Sequence, residues 1–237
     1  MDLIALILII FMASLLQSST GFGFSIVGTP FLFLVYSAHT AIQINIILSL
    51  FLSVFMMRQI RDGVNKLLLW NLIKGSLPGV VGGILIYLHL PMTGLKRSVG
   101  FLILILTILL ILNVTIRRTT KRDAVTGAIS GLLTASIGVP GPPLLLYFAG
   151  SAIKKEELRS TTLAYYLFIY SISLALQILF SGTNEEIWLL SMAGVPSLLA
   201  GIVVGQLLFK RISQNTFRRF TYIILLFTGV YLMMTSF

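Results

Sequence analysis

Residues 14–30 read SLLQSSTGFGFSIVGTP, at a place where an apolar chain would otherwise continue as one membrane helix. Gly21, Gly23, Gly28 and Pro30 are residues that loosen or stop a helix. Ser14, Gln17, Ser18, Ser19, Thr20, Ser25 and Thr29 set hydroxyls and amides among apolar neighbours. The whole segment, 3–36, would as a straight helix be about 51 Å long, against a hydrocarbon core of about 30 Å. It must bend, break or double back.

The rest of the chain supplies the membrane context. Its 237 residues are 57% hydrophobic and 10% charged, with a mean hydropathy of +1.01, far outside the range of soluble domains. Apolar runs such as VGFLILILTILLILNV (99–114) and YIILLFTGVYLMM (222–234) recur along its length. These features specify an all-α polytopic membrane protein with no room for a soluble domain. The absence of Cys removes disulfides, Fe–S ligation and thiol relays. An acidic Met1-Asp2 start argues against a secretory signal peptide. The net charge of +10 reads as loop charge that orients the protein in the bilayer, not as a nucleic-acid surface.

Spans are expected near 40–57, 69–89, 96–116, 160–181, 187–209 and 217–236, leaving 3–36 and 124–150 as special segments. The chain also repeats itself. LLQSSTG (15–21) aligns with LLTASIG (132–138), SLPGVVGGILI (76–86) with GVPSLLAGIVV (194–204), and GLKRSVGFLILI (94–105) with TFRRFTYIILL (216–226). A nearly constant offset at three places indicates a duplication. The expected units are 1–117 and 123–237, joined by a basic cytoplasmic linker at 118–122.

Basic residues decide how the halves are oriented. If 3–36 and 124–150 each cross once, eight Lys and Arg fall on one side and nine on the other, which is no bias. If each enters and returns on the same side, fifteen of the 17 share one face and only Lys96 and Arg97 lie opposite. The acidic loop SGTNEEI (181–187) joins that sparse face. The positive-inside rule selects the second arrangement. It gives two inverted-topology repeats, each a broken or re-entrant helical hairpin followed by three transmembrane helices. Whether the hairpins span fully or are re-entrant stays open.

A chain reversing inside the bilayer frees backbone N–H and C=O groups, which are tolerated only in protein or against a polar cavity. Gly21, Gly23, Gly138 and Gly141 supply the dihedrals for two such turns, and Pro140, Pro142 and Pro143 stop helix in the second. Gln17, Ser18, Ser19, Thr20 and Ser136 can satisfy the freed groups. One reading makes the turns a site: two helix N-termini, each worth about half a positive charge, present N–H groups to an anion. The other is close packing of kinked helices. Gln43 and Asn45, and in the other half Thr161, Thr162 and Tyr165, begin the following spans. They either complete the site or make interhelical hydrogen bonds. Arg159 is a candidate for anion capture or a positive-inside charge, Lys74 can snorkel, and the matched Pro78 and Pro196 are candidate gating bends. His39 and His89 make no metal-ligand spacing, so no metal or cofactor is expected. The acidic residues fall in loops or at segment ends, showing no membrane proton relay, and an enzyme is not expected.

With these residues in view, the chain resembles the TauE/SafE family of sulfite exporter permeases, a duplicated membrane family. The resemblance runs the whole length and is carried by SSTGFGFSIVGTPFLF (18–33), GLLTASIGVPGPPLLLYF (131–148) and ELRSTT (157–162). GVPGPP departs from the glycine-richer run of many members. The lack of Cys rules out the cysteine relay of related thiosulfate carriers. The resemblance implies a secondary transporter for sulfite or an organosulfonate such as sulfoacetate, in the cytoplasmic membrane, working by alternating access. An anion channel and an intramembrane enzyme or scaffold subunit are the alternatives. Expected partners are the small anion and the lipid bilayer, with H⁺ or Na⁺ as candidate coupling ions and a homodimer as candidate assembly; nucleic acid is not expected.

Overall fold

The structure, a computed structural model, describes residues 2–59, 63–112, 118–149, 153 and 155–209, with single positions 223, 226, 227, 230 and 234. Among them the chain is all-helical, without strands. Helix α1 (Asp2–Thr20) is followed by α2 (Phe24–Val35), α3 (Ala38–Gln59), α4 (Lys66–His89) and α5 (Met92–Ile111). Next come α6 (Thr120–Ile137), α7 (Gly141–Ala149), α8 (Lys155–Ser181) and α9 (Glu185–Phe209). Helices α3, α4, α8 and α9 are each long and apolar enough to cross a membrane. The span expected at 217–236 lies almost wholly outside the described residues, as do Arg61, Arg117, Lys154, Lys210, Arg211, Arg218 and Arg219. Three of the five residues of the expected 118–122 linker are helical, because Thr119 caps α6 by accepting the Arg122 N–H at 3.2 Å.

Segment 3–36 breaks where the glycines stand. Gly21 closes the last turn of α1 (N–H to Gln17 O, 2.7 Å), and Gly21 and Gly23 have φ of 83° and 125°, values open to glycine at little cost. The counterpart is Gly138, at φ 73°, from which the Gly138 and Val139 N–H groups turn back to Thr134 and Leu133 carbonyls. Gly141 is different: it lies outside the positive-φ glycines, and its role is space, as shown below. A helix of 12 residues rises about 18 Å and one of nine about 14 Å, so neither α2 nor α7 crosses a bilayer alone. Helix α7 doubles back, since its Tyr147 hydroxyl donates to the Asp123 carboxylate at 2.6 Å, at the start of α6.

Packing runs between the two halves of the chain. Helix α4 lies along α6, α9 along α1, α3 against α8, α4 also on α8 and α9 on α3. Exchanging α1–α4 with α6–α9 turns this set of pairs into itself. Both long seams are built from small residues. On α4, Gly75, Gly79 and Gly83 recur every fourth residue and face α6, while Leu77, Val81 and Leu85 point outward and are exposed. A Cβ on Gly75 or Gly79 would run into the Ala124 or Ala128 carbonyl, and one on Gly127 into the Leu72 carbonyl. Across the other seam, Gly201 and Gly205 take the Ser14 and Ser18 hydroxyls at the same close range. Lipid tails are as apolar as Leu, so close backbone contact is what holds such helices together.

Gly79→Ala is therefore expected to cost about 1–3 kcal/mol by overpacking. Gly82→Ala, whose added methyl would meet only Leu132 Cδ1 at 3.6 Å, is expected to be close to neutral. Thermal unfolding of the two variants in detergent distinguishes a glycine seam from a merely glycine-rich helix.

Candidate functional site

The two turns lie close together in the interior, and one amide packs between α2 and the second turn. Asn45, fully buried on α3, donates Nδ2–H to the Gly138 carbonyl at 2.9 Å. Its Oδ1 lies 2.8 Å from where a Cβ on Gly28 of α2 would stand. The starts of α2 and α7 are also adjacent, since a Cβ on Gly141 would meet Ile26 Cδ1 and the Tyr166 hydroxyl, each at 3.1 Å. A side chain at 141 would press on both of these groups, so the absence of one lets the two helix starts come close.

Several of the freed backbone groups find a side chain, as burial demands. Gln17 accepts the Phe24 N–H at 2.9 Å and closes the first turn. Arg159, half-buried on α8, donates to the Ser18 carbonyl at 2.5 Å, and its stem lies against Gly21. It thus caps the C-terminal end of α1, where the helix dipole favours a cation. Gln177 donates to the Ala135 carbonyl near the end of α6 at 3.0 Å, and Ser130 to the Pro140 carbonyl at 2.9 Å.

The residues expected at the site divide into three groups. Gln17, Gly21, Gly23, Asn45, Gly138 and Gly141 are at or between the turns. Ser18, Ser19 and Ser136 stand beside them, but their hydroxyls donate backward: Ser18 to the Leu15 and Gly201 carbonyls, Ser19 to Leu15 and Ser136 to Leu132. Thr162 is buried near the start of α8, and the Thr20 side chain lies outside the described residues. The rest are elsewhere. Gln43 donates to the Gly182 carbonyl at 2.9 Å, at the end where His39 bonds Ser181. Thr161 accepts the Asn65 N–H. Tyr165 points into the α4–α6 seam, toward the Gly127 carbonyl at 3.4 Å. Pro78 and Pro196 are exposed on the outer faces of α4 and α9, and Lys74 lies 5.4 Å from the Trp70 ring, a cation–π contact of an exposed group.

Two features did not enter the sequence-derived site: a set of buried polar residues on α2, α3 and α8, and the surroundings of Asp123. Ser25 and Thr29 on α2, Ser49 on α3, and Tyr166, Tyr170 and Ser173 on α8 are all buried beside or one turn beyond the residues that were expected. Their signal was present as i, i+3 and i, i+4 spacings, which put each set on one helix face. Asp123 does lie at a segment end, as its position requires, yet it is only 2% exposed. Tyr147, Asn71 at 3.1 Å and Arg118 at 3.5 Å surround its carboxylate, joining the linker, α4, α6 and α7.

A family model described as sulfite exporter TauE/SafE matches residues 6–232, taking in both turns and every helix that packs on them. The chain belongs to the TauE/SafE family. Neither a curated protein nor a solved structure matches it. Membership makes this a multi-pass membrane transporter of the sulfite exporter type, with a small anion as its cargo. In this TauE/SafE chain hydroxyl and amide side chains are buried among apolar ones, while large apolar side chains such as Leu77, Val81 and Leu85 are exposed on the outer faces. Among the described residues no group of His, Asp and Glu could hold a metal ion.

The Asn45 bridge makes a direct test of the interior geometry. Asn45→Asp is nearly isosteric but sets a carboxylate oxygen against the Gly138 carbonyl, leaving a buried acceptor unpaired. A loss of about 1–3 kcal/mol is expected, read as a lowered melting temperature. Gln43→Glu, at the rim, is expected to lower it less.

Proposed function

We propose that this chain is a secondary transporter for sulfite or a small organosulfonate such as sulfoacetate, and that it holds the anion where the two turns meet near the membrane midplane. The convergence of the starts of α2 and α7 on one buried place carries this reading. Two helix N-termini attract an anion by partial charge and exposed N–H groups. A Lys or Arg at the same depth would cost roughly 2.5–3.5 kcal/mol on insertion scales. The resulting hold is weak enough to allow release.

The scheme is alternating access in the cytoplasmic membrane, with the fifteen-residue basic face inside. The swap symmetry of the helix pairs supports a duplicated origin, with units at 1–117 and 123–237 in inverted orientation. One pair of packed helices rocks against the other, with Pro78 and Pro196 as bends, and Arg159 keeps α1 seated during the motion. Ser18, Ser19, Thr20 and Ser136 border the site; Gln43, Thr161, Thr162 and Tyr165 hold the spans that enclose it. H⁺ or Na⁺ coupling and a homodimer belong to the same proposal as points for measurement.

Purified chain in proteoliposomes is expected to take up radiolabelled sulfite or sulfoacetate with saturation. Flux proportional to concentration throughout would identify a channel instead. Ser19→Ala and Ser136→Ala are expected to leave affinity within about threefold, because those hydroxyls already donate to helix carbonyls. Arg159→Gln is expected to lower the melting temperature more than the affinity, as befits a helix cap.

Orientation can be checked in this Cys-free chain with single Cys at Arg58, Lys121, Lys155 and Arg211. All four are expected to react with an impermeant thiol reagent from the cytoplasmic side alone. Reaction of the 155 and 211 sites from outside, with 58 and 121 protected, would restore eight simple crossings.

A further inference from the structure

The two helix starts are not equivalent, and α8 places a tyrosine hydroxyl at each. The first four N–H groups of a helix lack an intrahelical partner. In α7 these positions are Pro140, Gly141, Pro142 and Pro143, and proline has no N–H, so Gly141 alone can donate. In α2 they are Gly23, Phe24, Ser25 and Ile26. Gln17 takes the Phe24 N–H, which leaves three donors. A helix start with three donors is an anion site; one with a single donor is at most a flank.

Tyr166 and Tyr170 stand one turn apart on α8, with ring centroids 5.5 Å apart and relative exposures of 1% and 0%. The Tyr166 hydroxyl is at the start of α7, beside Gly141. The Tyr170 hydroxyl is at the start of α2, beside Ser25, with Ser49 of α3 also next to it. Neither phenol makes a hydrogen bond of normal geometry among the described residues, and neither does the Ser49 hydroxyl. A buried hydroxyl without a partner carries a desolvation cost that nothing offsets. Tyr170 and Ser49 collect at the start of α2 and Tyr166 at the start of α7, and buried groups of this kind call for a partner, which a ligand would supply.

We infer that Tyr170 and Tyr166 are substrate-binding residues, that the anion's oxyanion headgroup sits on the start of α2 under Tyr170, Ser25 and Ser49, and that Tyr166 closes its α7 side. The inference rests on the transport reading above and names the donors of that site. All these donors are neutral hydroxyls or amides, which suits a headgroup with several oxygens and one negative charge, such as a sulfonate or hydrogensulfite. A carboxylate of the same length has one oxygen fewer to offer.

The experiment is calorimetric titration of the purified full chain with sulfite, sulfoacetate and malonate, beside melting temperatures without ligand. Tyr170→Phe is expected to weaken sulfoacetate or sulfite binding about tenfold to a hundredfold, the worth of one hydrogen bond to a charged ligand. Tyr166→Phe is expected to weaken it about tenfold, and Ser25→Ala by a similar factor. Tyr165→Phe, whose hydroxyl points into the seam, is expected to stay within threefold. Without ligand, Tyr170→Phe and Tyr166→Phe should melt at or above the wild-type temperature, because each removes a buried group that has no partner. Unchanged affinity in both tyrosine variants, with binding by the wild type intact, overturns the inference and leaves the transport reading standing. So does a ligand-free melting temperature that falls by several degrees in either, since the hydroxyl would then be structural. If the wild type binds neither sulfite nor sulfoacetate, the transport reading fails first and the inference falls with it.

Discussion

Backbone hydrogen bonding in hydrocarbon is the constraint on which the rest of this structure depends. Two helices stop and restart in the buried interior, and each stop frees carbonyls at one end and N–H groups at the next beginning. Side chains from elsewhere in the chain meet those groups. Arg159 serves the end of α1, Gln177 the end of α6, Asn45 the Gly138 turn and Gln17 the start of α2. Because Asn45, Arg159 and Gln177 stand on α3 and α8, the central helix pair is what makes the two broken segments tolerable. Closing the turns and placing α3 against α8 are one problem with one solution.

The seams around that centre follow from the same setting. In water, α4 and α6 could be held together by burying Leu and Ile. In lipid that gain is absent, and the chain uses glycine at four-residue spacing to bring backbones into contact. The cost of this arrangement is intolerance: a single methyl at Gly79 or Gly127 meets a carbonyl.

Charge is distributed by a third consequence of the low dielectric. Arg159 is near the first turn but is committed to a helix C-terminus, and Asp123 is buried only where Tyr147, Asn71 and Arg118 surround it. The place where α2 and α7 begin holds hydroxyls and amides. A protein that must bind an anion and then let it go is served by donors of this kind, since a fixed cation at that depth would be expensive empty and slow to release when filled.

Composition and apolar runs by themselves determined the membrane class and all-helical character, because a chain this apolar has no soluble alternative. The break at Gly21–Gly23 and its repeat at Gly138 were legible because glycine and proline act locally: 34 apolar residues are too long for one span, and the helix must stop where φ turns positive. The central role of Asn45 was half legible, as a polar residue near a turn with no stated partner. What only the tertiary structure decided is which polar groups converge. Gln43 and Asn45 are two residues apart and face opposite surroundings, so one binds the Gly182 carbonyl and the other packs between α2 and the Gly138 turn. Tyr165 and Tyr166 are neighbours in sequence, yet one hydroxyl enters the α4–α6 seam and the other reaches the start of α7. Helical phase sets the direction of each side chain. The identity of its neighbour depends on packing between residues 25 to 139 positions apart, which a single sequence does not encode in any local pattern.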